Sequence, residues 1–376
     1  MLKGLHLTLM IGPAVPVPVP QAVLDALTGV EVVTAGGETA SGFTLTFAVG
    51  ARSPLQTLFL LAGGASVPLV RVVLVATVNG VPEVLIDGVM TNHQYSAGAD
   101  GKGTLRVMGK DLTAVMDYQE FSGLPYPAMT VDVRVLLILA KYAVLGVIPL
   151  VIPSILVDVP IPTERIPRHQ GTDLAYVRLL AHEVGYVFYL TPGPAPGTSF
   201  AYWGPEVRVG IPQPALNTGE MDAHANVDAL SFTFNGESAA LPIVFVHEPI
   251  TKAPIPIPIP DISLLNPPLG LIPPIPKQLR FIKDTAKFSP LRAALFGLGE
   301  ASRANEAVSA TGSLDVLRYG RVLKARGLVG VRGAGEAFDG LYYVKSVTHT
   351  LKRGEYKQSF TLTRNGLVST VSAVPV

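Results

Sequence analysis

Two distant segments of the chain alternate apolar and polar residues with a period of two, the pattern of half-buried antiparallel strands. In residues 42–50 the apolar positions are Phe43, Leu45, Phe47 and Val49. In the last strand pattern, one face carries Tyr356, Phe360 and Leu362, and the other carries Glu355, Lys357, Ser359, Thr361 and Thr363. The strand before it alternates less regularly, with Tyr342 and Val344 on one face and Val347 and Leu351 on the other. The chain is therefore predicted to be mainly β.

Residues 1–118 are predicted to form a first antiparallel barrel. Two strand patterns flank Asn79-Gly80, a dipeptide typical of a tight hairpin turn. A later strand pattern ends near Asp111, a residue that is well suited to begin a short helix.

Residues 119–212 are predicted to form an inserted α+β domain. Thr130 and Asp132 are candidate caps of a first helical pattern, Thr172 or Asp173 caps a second, and Gly185 ends the second helix before a strand. The very apolar stretch 135–157 includes Lys141 and two prolines. A membrane span needs about 20 mostly uninterrupted apolar residues, so this stretch is predicted to be a buried helix that runs into a proline-containing strand or loop.

The strand pattern at 226–236 cannot form a domain alone, so it is predicted to pair with the C-terminal strands. This prediction gives a second, split barrel from 213–247 and 307–370. Between them, the proline-rich run 253–276 can be neither helix nor central strand. Residues 277–289 are predicted to be helical. The whole segment 248–306 is thus a proline-rich connector with a helical insertion.

The composition favours a protein that is covered by neighbours in an assembly. Of the 376 residues, 48% are hydrophobic and only 15% are charged, against a usual charged share of about 25%. The net charge of +1 argues against bulk binding to nucleic acid or to anionic membranes. There are no cysteines, which excludes disulfides and thiolate metal sites.

No motif for catalysis, cofactor binding or metal binding stands out. His182-Glu183 resembles a zinc-protease helix, but Tyr186 occupies the position of the second histidine. Asp222, His224, Asn226 and Asp228 alternate, yet the glycine and the final glutamate of a calcium loop are missing. The glycine-rich run 327–340 precedes a strand rather than a helix. The chain is predicted not to be an enzyme and to hold no cofactor or metal.

Three segments in order carry a family resemblance. The first is LIDGVMTNHQYSAGADGKGTLRVMGKDLTAVMD at 85–117, with an Asp-Gly strand and a G-x-D-L turn into a helix. The second is QGTDLAYVRLLAHEVGYVFYL at 170–190, and the third is FDGLYYVKSVTHTLKRGEYKQSFTLTRN at 338–365. Together they resemble the late-control protein D family, the tail hubs of contractile-tailed phages, and the N-terminal hub part of VgrG proteins. The likeness is weakest over 254–304.

This resemblance implies a role for each part of the chain. The two barrels would be of the tube type, and three copies would form a homotrimeric baseplate hub with pseudo-six-fold symmetry. The hub would join a hexameric inner-tube protein to a trimeric spike and contact other baseplate proteins, with no specific nucleic acid and no stable membrane insertion. Asp339-Gly340 would form a turn. The barrel core would include Tyr342, Val344, Val347, Tyr356, Phe360 and Leu362.

The chain ends at Val376, whereas VgrG proteins continue into a needle, so the spike is expected to be a separate polypeptide. The segment 316–335, with the near-neutral charge, favours the hub of an extracellular contractile injection system over a phage. Such a hub would be assembled in the cytoplasm and then belong to the baseplate of the particle. Two alternatives remain open: a tail-associated peptidoglycan hydrolase, and a receptor- or membrane-binding tail module.

Overall fold

The computed structural model describes residues 4–13, 15–36, 39–50, 69–98, 102–154, 159–163, 166–219, 225–247, 253–259, 266–282, 290–304, 306–371 and 374. Among these residues, no helix is long and apolar enough to cross a membrane.

The strands and helices follow the chain in this order. The strands are β1 Leu5–Gly12, β2 Val17–Pro18, β3 Leu27–Ala35, β4 Gly42–Gly50, β5 Arg71–Val78, β6 Val81–Ala97, β7 Lys102–Asp111, β8 Val147–Val151, β9 Val187–Pro192, β10 Ser199–Gly204, β11 Gln213–Asn217, β12 Ala229–Phe234, β13 Ala240–His247, β14 Pro254–Pro258, β15 Gly270–Ile272, β16 Gln278–Phe281, β17 Val308–Asp315, β18 Leu328–Arg332, β19 Gly340–Lys352, β20 Glu355–Arg364 and β21 Leu367–Ser369. The helices are α1 Gln21–Ala26, α2 Thr113–Met116, α3 Val131–Ala140, α4 Asp173–Glu183, α5 Pro290–Ala304 and α6 Val316–Tyr319, with a 3-10 turn at Ala143–Leu145.

One large sheet runs through both halves of the described chain. Its strand order is β12-β17-β20-β19-β3-β4-β7-β6-β5-β1-β2, and β18 with β11 branch from β19. The antiparallel pair β3–β19 joins the N-terminal strands to the C-terminal hairpin. The predicted fold class is confirmed: the protein is mainly antiparallel β, with an α+β insert.

The first half forms as the local patterns predict. All four apolar residues of β4 are buried in the main core, while Thr44 and Thr46 stay on the other face. The β5–β6 hairpin turns at Asn79 and Gly80, which both have positive φ. Positive φ at both turn residues is the condition that favours Asn-Gly there.

The insert is a second, smaller core. Thr130 caps α3 and Thr172 caps α4, each through its side-chain oxygen, and Gly185 follows α4 with φ +71°. Both helices pack on the sheet β8-β10-β9, with Trp203 buried between them and the strands. The helix and the proline-containing strand predicted within 135–157 appear as α3 and β8, but α3 is buried on one side only, and residues 155–157 lie outside the described residues.

The second half assembles across the long excursion. Strand β12 pairs antiparallel with β17, and β17 pairs with β20. The lone strand pattern at 226–236 therefore does join the C-terminal strands, as its isolation in the sequence predicted. Strand β11 joins the same sheet through β18.

A bulge explains the irregular pattern of β19. Its register with β20 shifts between Val344 and Ser346, so that Lys345 is an extra residue. The extra residue reverses the alternation, and Val347 and Leu351 return to the face that already holds Tyr342 and Val344. All four side chains are buried together in the main core.

The proline-rich excursion is extended at both described ends. Strand β14 has the sequence PIPIP and forms one edge of the sheet β14-β13-β16. Its isoleucines pair with Val244 and Val246 of β13. Because the isoleucines pair with β13, the backbone of the alternating prolines faces the outer edge of the sheet. A proline has no N–H to donate, so this edge offers a further strand no hydrogen-bond donors from the prolines.

The expected helix at 277–289 is wrong in its described part. Residues 278–281 form strand β16, and the helix α5 begins at Pro290 instead of ending there. Proline lacks the N–H that the first turn of a helix leaves unused, so it favours a helix start. Residues 283–289 lie outside the described part of the chain.

We keep the boundaries at 118 and 212 and the split second half as a proposal, with one change. Strand β13 pairs with β14 and β16, and it packs against α5. We therefore propose that the first of the two segments of the second half ends before Ala240, and that β13 belongs with the proline-rich excursion.

Candidate assembly surfaces

The described residues bring no group of three metal-ligating side chains together. His182 lies with its Nε2 atom 3.4 Å from a carboxylate oxygen of Glu300 on α5, so it links two helices. Asp222 and His224 lie outside the described residues. The described residues also form exposed surfaces, and buried polar groups hold these surfaces in place.

The eight residues singled out in the C-terminal segment lie close together. Asp339 Oδ1 accepts a hydrogen bond from the Ala334 N–H at 2.7 Å, and Gly340 follows with φ +126°. Arg364, which is fully buried, donates to the carbonyls of Ala337, Asp339 and Gly366. The other six lie in the main core: Tyr342, Val344, Val347, Tyr356, Phe360 and Leu362.

A polar cluster lies inside this same core. His349 is buried, and its Nδ1 atom is 2.8 Å from the Tyr356 hydroxyl and 3.2 Å from the Gln358 amide. Gln358 also bonds the Leu323 backbone at both its N–H and its carbonyl. Burial lowers the pKa of His349 to about 4. The alternation of the two strands places His349 and Gln358 on the core face, but the sequence analysis did not single them out.

We expect acid to destabilise the protein through His349. The ordinary histidine pKa is 6.5. Between about pH 6.5 and pH 4, His349 therefore binds a proton in the unfolded chain but stays neutral in the folded chain. This contribution to stability is fully present above pH 6.5 and is lost as the pH falls towards 4. By pH 5 the free energy of unfolding should drop by about 2 kcal/mol more in the natural protein than in His349→Asn.

Urea unfolding of both proteins between pH 7.5 and 4.5 measures this difference. Burial also raises the pKa of Asp87 and Asp111, but both proteins share these carboxyls, so their effect cancels. Parallel pH profiles would show that His349 is not held neutral by the fold.

Buried ion pairs hold the insert against the large sheet. Arg71 on β5 and Asp87 on β6 make two contacts of 2.7 Å, and Arg71 also donates to the Gly197 carbonyl beyond β9. Arg208, after β10, bonds Glu306 at 3.0 Å and lies over the Tyr343 ring. The insert thus contacts both halves, and its orientation is set by charged groups that are largely shielded from water.

The outer face of the large sheet is rich in hydroxyl groups. On β12, β17, β20 and β19 these hydroxyl groups lie at directly paired positions, such as Ser231 with Thr311 and Thr348 with Ser359. Strand β3 contributes Gly29, Glu31 and Val33 to the same face, and threonines continue on β4 and β7. The serines and threonines of this hydroxyl face are Ser231, Thr233, Ser309, Thr311, Ser313, Ser346, Thr348, Thr350, Ser359, Thr361, Thr44, Thr46 and Thr104. Its charged residues carry both signs, as with Lys357 and Glu355, which pair at 2.8 Å.

The insert and the excursion expose apolar side chains instead. On α3 the outer positions Val133, Leu136 and Leu137 are all about half exposed, although the opposite side of the helix is in the core. A helix that is apolar all round is normally buried. On β16, Leu279 and Phe281 are 60% and 57% exposed. Such surfaces indicate contact with other proteins.

An open groove of about 320 Å³ lies where the two halves meet. Leucines from β1, α1 and β19 line it, among them Leu5, Leu24 and Leu351, and Lys352 and Arg353 lie at its rim. Strands β1 and β3 both contribute to the groove without pairing, because β3 already pairs with β4 and β19. The first half is therefore a curled sheet with an open seam.

The described residues thus form curled antiparallel sheets joined edge to edge around an α+β insert, a fold that solved structures of tail proteins resemble. No protein-family model matches the sequence, and no curated protein matches it. The resemblance that the three motifs predicted is confirmed at the level of the fold by solved structures.

Three of these structures are tail and secretion proteins. The tail protein of Neisseria meningitidis MC58 is 13% identical with a TM-score of 0.62, over 97% of this chain and 98% of that one. The 43 kDa tail protein of prophage MuSo2 from Shewanella oneidensis is 15% identical with a TM-score of 0.63, over 96% and 98%. A type VI secretion component of E. coli, described as similar to the T4 tail proteins gp27 and gp5, is 12% identical with a TM-score of 0.53, over 93% and 78%.

Proposed function

We propose that this protein is a structural baseplate hub, a homotrimer with pseudo-six-fold symmetry that joins a hexameric inner tube to a trimeric spike. The particle would be a contractile injection system or a phage tail, assembled in the cytoplasm. The hub would make no covalent bonds. It would offer a preformed ring on which the tube begins to assemble, and other baseplate proteins would attach around it.

The observation that carries this proposal is the near-complete match in fold. The likeness to the Neisseria tail protein extends over almost the whole of both chains, which supports a similar role for the chain as a whole rather than for one part of it. A three-fold body with two similar halves per chain presents six nearly equivalent edges, which suits a six-fold partner.

The hydroxyl face supports a position along the bore, the central channel of the proposed trimeric ring. It extends across strands from both halves, although the halves show no sequence repeat. Short hydroxyl side chains with charges of both signs hold water, and they anchor protein interfaces less well than aromatic side chains or arginine do. A surface of this kind would let cargo pass without binding it.

The exposed apolar side chains support contact with neighbours. Obligate interfaces bury about 2,000–5,000 Å² and are more apolar than ordinary surfaces. The outer positions of α3 and β16 would supply such contacts, and they lie outside the large sheet. Burying them in an assembly would remove a surface that promotes aggregation of the lone chain.

We expect the isolated chain to form weak trimers or to aggregate. Co-expression with the spike or tube protein of the same particle should raise both its solubility and its melting temperature, since a partner that binds only the folded chain stabilises it. Light scattering and thermal melting of the chain, alone and with its partner, measure this effect. A stable monomer at micromolar concentration that is indifferent to partners would contradict the hub proposal.

Cysteine labelling tests whether the hydroxyl face lines the bore of the ring. The chain has no cysteines, so Thr348→Cys reports on the hydroxyl face, and Ala195→Cys, in an exposed turn of the insert, is the matched control. In the assembled ring, a small maleimide should label both positions, and a large polyethylene-glycol maleimide only Ala195→Cys. Labelling of Thr348→Cys by the large reagent would place that face outside the ring.

A further inference from the structure

Part of the backbone edge of β1 is open beside the groove. The Gly4 carbonyl accepts from the Asn79 N–H at 2.8 Å, on the side of β5, whereas the Leu9 carbonyl accepts from the Val19 N–H at 3.0 Å, on the other side. In an antiparallel strand, the N–H and C=O of one residue point to the same edge, and successive residues alternate. The odd-numbered residues therefore direct their backbone groups away from β5.

Strand β2 covers only the far end of this open edge. It pairs with Met10 and Ile11, and within the described chain the only strand paired with Leu5 and Leu7 is β5. Within the part of the chain that the structure describes, no strand therefore covers the N–H and C=O groups of these two residues at the groove. An uncovered edge of this kind is a template for another strand.

The groove beneath this edge is apolar. Leu5, Leu7 and Leu24 are partly buried and pack on the main core, and Leu27, Val30 and Leu351 are buried at the base. A strand added beside Leu5 and Leu7 would direct every second side chain into this groove.

The rim of the groove is basic. His6, Lys352 and Arg353 line it, and no carboxylate does. Of the nearby carboxylates, Glu355 pairs with Lys357. Asp25 lies outside the groove lining, accepts from the Gln21 amide at 2.9 Å, and is next to Arg353, which donates to the Asp25 backbone carbonyl. The side chains that an added strand directs away from the groove would lie on the same face of the sheet as His6.

We propose that this groove binds an extended peptide segment of a partner protein, with alternating apolar and acidic residues, by adding a strand to β1. Backbone hydrogen bonds to Leu5 and Leu7 align the segment, its apolar side chains fill the groove, and its acidic side chains meet the basic rim. In the particle we assign this segment to a subunit stacked on the hub, and that assignment rests on the proposed function.

Hydrogen exchange on the full-length chain tests the proposal with two probe peptides. These are acetyl-Leu-Asp-Val-Asp-Leu-amide and its basic counterpart, acetyl-Leu-Lys-Val-Lys-Leu-amide, at millimolar concentration. The acidic peptide should slow exchange of the Leu5 and Leu7 amides by about tenfold, and it should leave His6 and Thr8, which already bond to β5, unchanged. The basic peptide should have no effect.

Two charge-reversal variants, one in the groove lining and one outside it, test the role of the basic rim. Arg353→Glu should remove the preference for the acidic peptide or reverse it, whereas Arg321→Glu, at an exposed position outside the groove lining, should preserve it. Equal effects of the two peptides, protection at His6 instead of Leu5, or an unchanged preference in Arg353→Glu would each overturn the proposal. This test uses the lone chain, so its failure is distinct from a failure to trimerise.

Discussion

Replacing Phe360 by alanine should lower the free energy of unfolding by about 3–5 kcal/mol, the usual cost of truncating a large buried aromatic. Phe360 is 3% exposed and lies directly opposite Gly312 of the neighbouring strand. Its ring covers the space that a side chain at Gly312 would occupy. Without the ring, this part of the core would have a cavity that the glycine cannot fill.

Thr361→Ala is the matched control, because Thr361 is the next residue of the same strand and lies on the hydroxyl face. Its effect should stay within about 0.5 kcal/mol. Urea or thermal unfolding of both variants measures the contrast. Equal stability of Phe360→Ala and the natural protein would show that this face of β20 does not support the core.

The second large effect is expected at Arg364. Its guanidinium donates to the carbonyls of Gly366 at 2.7 Å, Asp339 at 2.9 Å and Ala337 at 2.7 Å, and it lies 4.5 Å from the centre of the Tyr342 ring. Arg364→Met keeps much of the apolar stem but removes this donor from all three carbonyls. The Ala337 carbonyl keeps the Val368 N–H at 3.1 Å, so two carbonyls lose their donor. Each buried group that loses its partner costs about 1–3 kcal/mol, so the total loss should reach about 2–5 kcal/mol.

Arg364→Met should loosen the nearby turn as well as lower the stability of the whole fold. Hydrogen exchange should accelerate in the turn at 335–340, since two of the three carbonyls belong to it. Arg321→Met, at an exposed arginine, should change neither the stability nor the exchange of that turn. An Arg364→Met protein with normal exchange in the turn would mean that the guanidinium is not what holds it.

The sequence predicted the parts of the fold that depend on local patterns. The alternation in 42–50 and in 355–363, the Asn79-Gly80 turn and the two threonine caps all appear as predicted. These features involve residues that are neighbours along the chain, so their physical causes can be seen without the rest of the molecule.

The family motifs pointed to the right residues, but not to their partners. Asp87 and His349 both lie in motif segments, and both are buried with polar groups that the sequence analysis did not name. Asp87 meets Arg71 across a hairpin, and His349 meets Tyr356 across another. The available signal was the face on which each residue falls, since a polar residue on a core face needs a partner.

Two local predictions failed because non-local pairing decided the outcome. Residues 278–281 carry no strong strand pattern, yet they form β16 because β13 offers them an edge. The irregular alternation of β19 is resolved only by a bulge whose place is set by the register with β20. In both cases the deciding hydrogen bonds come from strands that are distant in sequence.

By itself, the sequence determined the regularly alternating strands, several turns and helix starts, and which faces of those strands are apolar. Only the tertiary structure decided that β3 pairs with β19 to make one sheet from two halves, and that no described strand other than β5 pairs with β1 at Leu5 and Leu7. The reason is that side-chain patterns specify faces, whereas edges are made of backbone groups that nearly every residue carries alike. Which strand edge pairs with which other strand therefore depends on how segments that are distant in sequence pack together.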